Sequence, residues 1–229
     1  AMPDPGGGPP RPYDQAPFTP WPDRDPDMAE AAAVLAERLR IGRAEADAYA
    51  VESHRRALGA DFRGEIVSLA GLERDAFTRA LTPALAARAK VLAGPVTAAN
   101  AAVAADAAAF VVVADERLAR GRGLRIAASA TFGADPGQPG LAPVPAIAAA
   151  LARAGLTPAD LAQAEVMEAY AVQAIACIRG AGLAPAIVNR KGGALARGHP
   201  IGASGAILAV RLFQDLKARQ GLAAIASAG

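Results

Sequence analysis

Residues 191–205 read KGGALARGHPIGASG, and this stretch carries the most specific information in the chain. Glycines on both sides of His199 allow the backbone to take positive φ angles and to approach a ligand closely. Pro200 restricts the backbone directly after the histidine, so the imidazole is held in one direction. The next helix is expected to begin near residues 203–204, which directs unpaired N–H groups and the positive end of its dipole toward His199. The pattern favours a site for a carbonyl or an oxyanion; the alternative is a Gly-rich turn with a surface histidine.

The composition excludes several classes of protein. The 229 residues include 24 Lys+Arg and 22 Asp+Glu, without the clustered positive charge that binds nucleic-acid phosphates. Apolar stretches such as residues 142–151 are shorter than the roughly 20 residues of a membrane-spanning helix, and the N-terminus has no signal pattern. One cysteine and two histidines argue against a disulfide framework and against a metal site. We therefore expect a soluble, cytoplasmic α/β protein without a bound metal.

The first 22 residues predict an extended arm. Nine of the 18 prolines lie in residues 1–26, together with three consecutive glycines, and such a sequence cannot hold a regular hydrogen-bonded ladder. Phe18 and Trp21 are large apolar side chains in this region. They are expected to anchor the arm, either on the chain's own domain or on a partner.

Beyond the arm, the predicted elements change in character along the chain. The first are helices at 28–41 and 45–58, a short strand within 62–69 and a partly helical segment at 75–89. From residue 94 onward, after a small-residue helix that follows Asn100, strands and helices alternate, which predicts helices flanking a sheet. The strand at 107–113 ends in a β-branched run that suits burial on both faces. The other predicted strands are 124–134, 164–166 and 221–226, and the predicted helices are 115–120, 145–154, 170–179 and 206–218.

The loop at 192–205 closely resembles the active-site GHP loop of the thiolase family, which comprises acetyl-CoA acetyltransferases and 3-ketoacyl-CoA thiolases. Further segments resemble motifs of the same family in the same order. They are residues 44–57, similar to the helical start of the thiolase loop domain; GPVTAAN at 94–100, similar to GTVTAGN; PVPAI at 143–147, similar to GPVPAI; and EVMEAYA at 165–171, similar to the NEAFA motif. The resemblance extends from about residue 23 to residue 229.

This resemblance implies an α/β fold in two domains after the arm at residues 1–22. A mainly helical loop domain occupies residues 23–93, and a thiolase-like C-terminal half, with a mixed sheet and flanking helices, occupies residues 94–229. Thiolases are duplicated, and their N-terminal half holds the nucleophilic cysteine; the chain resembles only the loop domain and the C-terminal half. Its single cysteine, Cys177, lies in the middle of a predicted helix and is expected to be a buried apolar side chain.

Several positions depart from the family pattern. Ala226 lies where thiolases carry a second cysteine, which moves a proton to or from the α-carbon of the substrate. Met167 replaces an asparagine that helps to position an oxyanion-hole water. Ala102 and Val103 replace a Ser-Gly pair near the pantetheine arm of CoA, and Lys191 stands where a neutral residue is usual. Since a positioned acid or base contributes on the order of 10²–10⁴ in rate, we do not expect this chain alone to catalyse a Claisen condensation.

By resemblance, His199 is the catalytic residue, which keeps a cysteine thiolate activated and donates a hydrogen bond to an oxyanion. A CoA thioester is the implied substrate, and no covalently bound cofactor is expected. The residues implied to contact the substrate or CoA are Arg79, Ala98, Ala169, Tyr170 and Ser204. Among them Arg79 is a candidate for a CoA phosphate, and Ser204 has the alternative role of capping the helix that follows the loop.

Three residues are expected to support the loop: Glu168, Gly198 and Gly202. Glu168 lies beside an active-site position and is a candidate for orienting the loop backbone; a packing or surface role is the alternative. His54 lies on one stripe of a predicted helix and is interpreted as a structural, hydrogen-bonded histidine.

The resemblance leaves three functional hypotheses open. The chain is part of a thiolase-family acyltransferase whose nucleophilic cysteine lies on an N-terminal half or a separate partner chain; or a thiolase-like retro-aldol lyase that works with a small OB-fold partner; or a non-catalytic acyl-CoA-binding or assembly subunit. Half of a duplicated fold presents a large apolar face, and monomers rarely expose patches beyond a few hundred Å². We therefore expect a homo- or hetero-oligomer.

Overall fold

The computed structural model describes residues 8, 9, 17, 19–120, 123–217, 221 and 223–226. Phe18 and most of the expected arm lie outside these residues, whereas Trp21 is described and is 53% exposed. Among the described residues, the helices are α1 (Met28–Leu39), α2 (Arg43–Leu58), α3 (Pro83–Ala87), α4 (Glu116–Ala119), α5 (Pro143–Ala154), α6 (Ala171–Gly180), α7 (Ala194–Arg197) and α8 (Ser204–Lys217). The strands are β1 (Val91–Ala93), β2 (Val96–Thr97), β3 (Gln163–Val166) and β4 (Ala223–Ala226).

The first two long helices lie where the sequence predicts them. The Asp27 side chain accepts hydrogen bonds from the backbone N–H groups of Ala29 and Glu30, at 2.8 and 3.1 Å, and so caps the first turn of α1. Arg40 takes a left-handed conformation with φ +55° and ends the helix. In the second part of the chain, α5 ends in the same way at Gly155, with φ +67°.

Two buried clusters hold these elements together. Small side chains dominate the first one, in which Ala36 of α1, Ala46 and Ala50 of α2 and Ala176 of α6 allow the helices to approach closely. The second cluster joins α5, β3 and α6, and its members are Ile147, Leu151, Leu161, Ala164, Val166, Cys177, Ile178, Leu183 and Val188. The first cluster contains residues from both sides of position 93, where a domain boundary is expected from the sequence. That boundary stays a prediction.

The described sheet is small. Strand β3 pairs with β4 in parallel, from Gln163 opposite Ala223 to Val166 opposite Ala226. Strands β1 and β2 form an antiparallel pair whose turn contains Gly94, with φ +48°. The parallel pair confirms the strands predicted near 164–166 and 221–226.

The strands predicted at 107–113 and 124–134 do not form. Both segments are extended without strand pairing, and the side chains of Phe110 and Val112 are 88% and 95% exposed. Strand propensity reflects packing against neighbouring strands, and neither segment has a neighbour in the described part of the chain. The β-branched run at 110–113 therefore stays on the surface, contrary to the expected burial on both faces.

Two further predictions of secondary structure are wrong. The segment after Asn100 is not a helix: Ala101 and Ala104 instead form isolated bridges with Tyr170 and His199. Residues 62–69 form only isolated bridges, not a strand. In the described residues, no helix is long and apolar enough to span a membrane.

Candidate active site

Three chain segments meet at the candidate site. They are residues 97–104, 168–171 and 198–204. Backbone hydrogen bonds join them: Ala102 N–H donates to the Ala169 carbonyl at 2.9 Å, and His199 N–H donates to the Val103 carbonyl at 2.7 Å. The bridge between Ala101 and Tyr170 adds a further contact. The fold thus brings together segments of three of the motifs that the sequence singled out.

His199 is half-buried in this arrangement. Its Nδ1 lies 2.8 Å from the Oγ of Ser204, and that hydroxyl donates to the Pro200 carbonyl at 2.9 Å. Desolvation by burial lowers the pKa of His199, so the neutral imidazole prevails at neutral pH. The Ser204 hydroxyl thus holds the neutral imidazole of His199 by its Nδ1 atom.

The two glycines near the histidine differ in what they require. Gly198 has φ +97°, and a Cβ added to it would lie 2.8 Å from the Cβ of Ala105, so a glycine is needed there. Gly202 is exposed, lacks a positive φ angle and has nothing within 4 Å of an added Cβ. Gly198 thus has the positive φ angle that the sequence predicts, Gly202 does not, and a supporting role of Gly202 stays a prediction.

Glu168 is buried behind the loop and accepts several hydrogen bonds. Its carboxylate accepts from Tyr49 Oη at 3.0 Å, Ser53 Oγ at 2.9 Å, Asn189 Nδ2 at 2.6 Å and Leu195 N–H at 3.2 Å. Burial raises the pKa of the Tyr49 phenol well above its usual value, and the neighbouring Glu168 carboxylate adds to the shift. These donors come from α2, the loop before residue 191, and α7, so Glu168 ties the histidine loop to the helical part.

The start of the loop fits closely around this carboxylate. Gly193 N–H donates to Ser53 Oγ at 2.9 Å. A Cβ added at Gly193 would lie 2.1 Å from the carboxyl carbon of Glu168, and one at Gly192 would lie 2.3 Å from the Ser53 carbonyl oxygen. The glycine pair is therefore required by close packing against α2 and Glu168, a contact that the local sequence did not reveal.

The residues implied to contact CoA lie in different surroundings. Ala98 is exposed, Ala169 and Tyr170 are half-buried, and Ser204 is buried with its hydroxyl engaged inside the protein. Arg79 is exposed, and its guanidinium lies over the Phe77 ring at 4.4 Å. Ala98, Ala169, Tyr170 and Ser204 belong to the segments that meet at the site, whereas Arg79 does not.

Arg79 reaches the loop through its neighbours. Thr78 Oγ1 donates to the Ala196 carbonyl at 3.0 Å, which links this segment to α7. The backbone N–H of Arg79 donates to Nδ1 of His54 at 3.3 Å. His54 is fully buried, and desolvation, with a smaller contribution from Arg79, lowers its pKa to about 4. The structural role expected for His54 agrees with these contacts.

Cys177 is fully buried in α6. Its thiol donates to the Gly140 carbonyl at 3.1 Å and accepts from Gln173 Nε2 at 3.4 Å. Burial raises the pKa of the thiol to about 11, so it stays protonated at neutral pH. As this is the single cysteine of the sequence, the chain itself presents no reactive thiolate.

Met167 packs where the family resemblance would place an asparagine. Its side chain is 4% exposed and lies in an apolar cluster with Ala194 and Leu208, against which Ala102 also packs. Positions 167 and 102, which both depart from the family pattern, are therefore part of one apolar cluster.

A buried group of charges was missed by the sequence interpretation. Oε2 of Glu165, on β3, lies 3.6 Å from Nε of Arg211, on α8, and both side chains are at most 2% exposed. Arg197 lies near them, and desolvation lowers its pKa to about 10. The sequence signal that could have revealed this group is a charged residue within each of two apolar segments, at positions 165 and 211. In the described residues, no group of three His, Cys, Asp or Glu side chains is placed to hold a metal ion.

The C-terminal part of the chain, which contains two of the three site segments, matches a known family. Residues 123–229 match the sequence model of the thiolase C-terminal domain. The Bacillus subtilis (strain 168) protein YhfS, named as a candidate acetyl-CoA C-acetyltransferase, is 40% identical over 234 residues, which cover 94% of this chain and 64% of that protein. Residues 123–229 thus belong to the thiolase C-terminal domain family. A 3-ketoacyl-CoA thiolase of Shewanella baltica is 37% identical over 224 residues.

Solved thiolase structures share the fold. The Bacillus anthracis acetyl-CoA acetyltransferase is 32% identical, with a TM-score of 0.81. The matched region covers 91% of this chain and 59% of that one. Human mitochondrial 3-ketoacyl-CoA thiolase in complex with CoA is 30% identical, with a TM-score of 0.77. The matched region covers 90% of this chain and 57% of that one. The α/β fold is thus a thiolase fold, and the chain spans 58–64% of the length of these two sequence relatives.

Proposed function

We propose that this chain is the C-terminal part of a thiolase-type acyltransferase that acts on acyl-CoA thioesters. The nucleophilic cysteine comes from an N-terminal thiolase half, on the same or on a separate polypeptide. One observation carries the proposal: a neutral, half-buried His199 is held at Nδ1 in the GHP loop. In contrast, the thiol of Cys177 is buried and protonated.

The proposed chemistry divides between the two halves. The cysteine of the N-terminal half loses its proton to His199, and the resulting thiolate attacks the 3-keto carbon of a 3-ketoacyl-CoA. The keto oxygen then carries negative charge, which nearby N–H donors stabilise. When the bond between carbons 2 and 3 breaks, the acyl group stays on the cysteine sulfur, carbon 2 takes the proton that His199 holds, and acetyl-CoA leaves. Free CoA then gives its thiol proton to His199 and takes the acyl group from the cysteine, which leaves as a thiolate. Glu168 and the glycines that pack against it keep the loop in place during these steps.

The exposed apolar segments support a requirement for a second half. Phe110, Val112 and Val113 are 88%, 95% and 79% exposed, and Ile126 in the second segment is 72% exposed. Contiguous exposed apolar surface marks an interaction site in a soluble protein. Two extended segments without strand partners are suited to join the sheet of an N-terminal half.

The test is thiolysis of acetoacetyl-CoA by the assembled protein, with free CoA as the second substrate. Two acetyl-CoA molecules per acetoacetyl-CoA consumed are expected, and His199→Gln should remove the activity. Cys177→Ala is the matched control and should retain it. Absence of acetyl-CoA formation by an assembly that binds acyl-CoA would contradict the acyltransferase proposal.

A second candidate function is supported by the apolar surroundings of Met167. A retro-aldol lyase that cleaves a 3-hydroxyacyl-CoA needs neither the asparagine at 167 nor a cysteine at 226. The same assay discriminates the two when 3-hydroxyacyl-CoA replaces acetoacetyl-CoA. Release of an aldehyde or ketone without consumption of CoA favours the lyase.

A further inference from the structure

The hydrogen bonds of Ser204 determine which nitrogen of His199 carries the proton. Ser204 is 2% exposed, and its Oγ lies 2.8 Å from Nδ1 of His199 and 2.9 Å from the carbonyl oxygen of Pro200. A serine hydroxyl has one proton, whereas a carbonyl oxygen can only accept. If that proton pointed to Nδ1, two oxygen atoms would face each other at 2.9 Å without a proton between them. The hydroxyl therefore donates to Pro200 and accepts from Nδ1–H.

We propose that Ser204 is a positioning residue that fixes His199 as the Nδ1–H tautomer and leaves Nε2 with a free lone pair. The tautomer of a neutral histidine is set by the hydrogen bond that one of its ring nitrogens makes. Here a relay from Nδ1–H through the Ser204 hydroxyl to a backbone carbonyl sets it. Because both ends of that hydroxyl are engaged and its surroundings are buried, Ser204 does not contact the substrate.

The consequence for catalysis rests on the proposed function. With Nε2 as a lone pair, His199 first acts as a base: the S–H bond of the nucleophile breaks, its electron pair stays on sulfur, and an N–H bond forms at Nε2. Only after this transfer does Nε2–H donate to the oxyanion. The two roles expected for His199 thus occur in a fixed order. The orienting group is an uncharged hydroxyl, so no carboxylate at Nδ1 stabilises the imidazolium.

The second histidine provides an internal comparison. Nδ1 of His54 accepts a hydrogen bond from the backbone N–H of Arg79 at 3.3 Å, so the proton of the neutral ring lies on Nε2. That Nε2 is buried and has no hydrogen-bond partner among the described residues. The two histidines of the chain are therefore expected to be opposite tautomers.

The direct test is long-range ¹H–¹⁵N correlation NMR on the purified protein, with ¹⁵N-histidine in this chain and any partner chain unlabelled. Spectra are recorded above the histidine pKa values, and His199→Gln identifies the signals of each ring. A bare Nε2 on His199 and a bare Nδ1 on His54 are expected. A protonated Nε2 on neutral His199 would overturn the proposal.

Variants at position 204 test the role of the hydroxyl. Ser204→Ala should give His199 a mixed or reversed tautomer pattern and lower kcat by at least about 10-fold at unchanged KM, which is less than the loss of a whole general base. Ser204→Thr keeps the hydroxyl and should restore both readouts. Ser68→Ala, at an exposed serine, is the matched control. An unchanged tautomer pattern in Ser204→Ala would refute the positioning role. If the assembled protein shows the expected tautomers but does not catalyse acyl transfer, the proposed function is wrong and the positioning role of Ser204 still stands.

Discussion

Replacement of Gly193 by alanine is expected to destabilise the protein strongly, because the new methyl group has no space. The added Cβ would lie 2.1 Å from the carboxyl carbon of Glu168 and within 2.4 Å of both its oxygens. Overpacking of this kind costs about 1–3 kcal/mol. The carboxylate must also move, and each hydrogen bond to a charged group that it loses costs about 1.5–3 kcal/mol. We expect a total loss of about 3–5 kcal/mol in the free energy of unfolding.

The assay is urea unfolding followed by circular dichroism, with the slope of the transition compared between variants. Gly202→Ala lies in the same loop and is the matched control, because nothing lies within 4 Å of its added Cβ and its φ angle is not positive. It should change the free energy of unfolding by less than about 0.5 kcal/mol. If Gly193→Ala is as stable as Gly202→Ala, the close contact between the loop and Glu168 is wrong.

Three other predictions concern stability and reactivity. Cys177→Ala should leave acyl transfer unchanged, measured as thiolysis, because its thiol is buried and protonated; a large loss of kcat would place the nucleophile on this chain. His54, with its pKa lowered from 6.5 to about 4, binds fewer protons when folded than when unfolded. Stability should therefore fall as pH falls from about 6.5 to 4, by up to about 3 kcal/mol, and the fall should be smaller in His54→Gln in urea titrations at each pH. Burial raises the pKa of Glu165 to about 7 even beside Arg211, so Arg211→Met should leave Glu165 buried and protonated at neutral pH. The free energy of unfolding should fall by about 3 kcal/mol or less, and Glu165→Gln in the same protein should recover part of the fall; additive losses in thermal unfolding would contradict the pairing.

Local signals in the sequence were sufficient to predict most of the helices. Asp27 and Gly155 lie at helix ends and have the chemistry that such ends require, and the small residues of α2 mark its buried face. The GHP loop was identified from residues 192–205 alone. Its histidine lies against the 97–104 segment, which in turn contacts the 168–171 segment; motifs in both were also recognised from the sequence.

Features that depend on distant partners could not be predicted from local sequence. The carboxylate of Glu168 is hydrogen-bonded to Ser53, 115 residues away, and nothing near either residue indicates that contact. The segments at 107–113 and 124–134 have the composition of strands, but a strand forms only where a neighbour accepts its hydrogen bonds. Whether these segments are buried depends on which other chain segments lie beside them, and composition does not show that.

Selective cysteine alkylation of the assembled protein tests most directly whether His199 activates a sulfur from outside these 229 residues. Iodoacetamide is added at neutral pH, and the modified peptides are identified by mass spectrometry. We expect rapid modification of a cysteine on the N-terminal half, at least about 10-fold slower in His199→Gln, and no modification of Cys177. Modification of Cys177, or equal rates with and without His199, would contradict the proposed division of the active site.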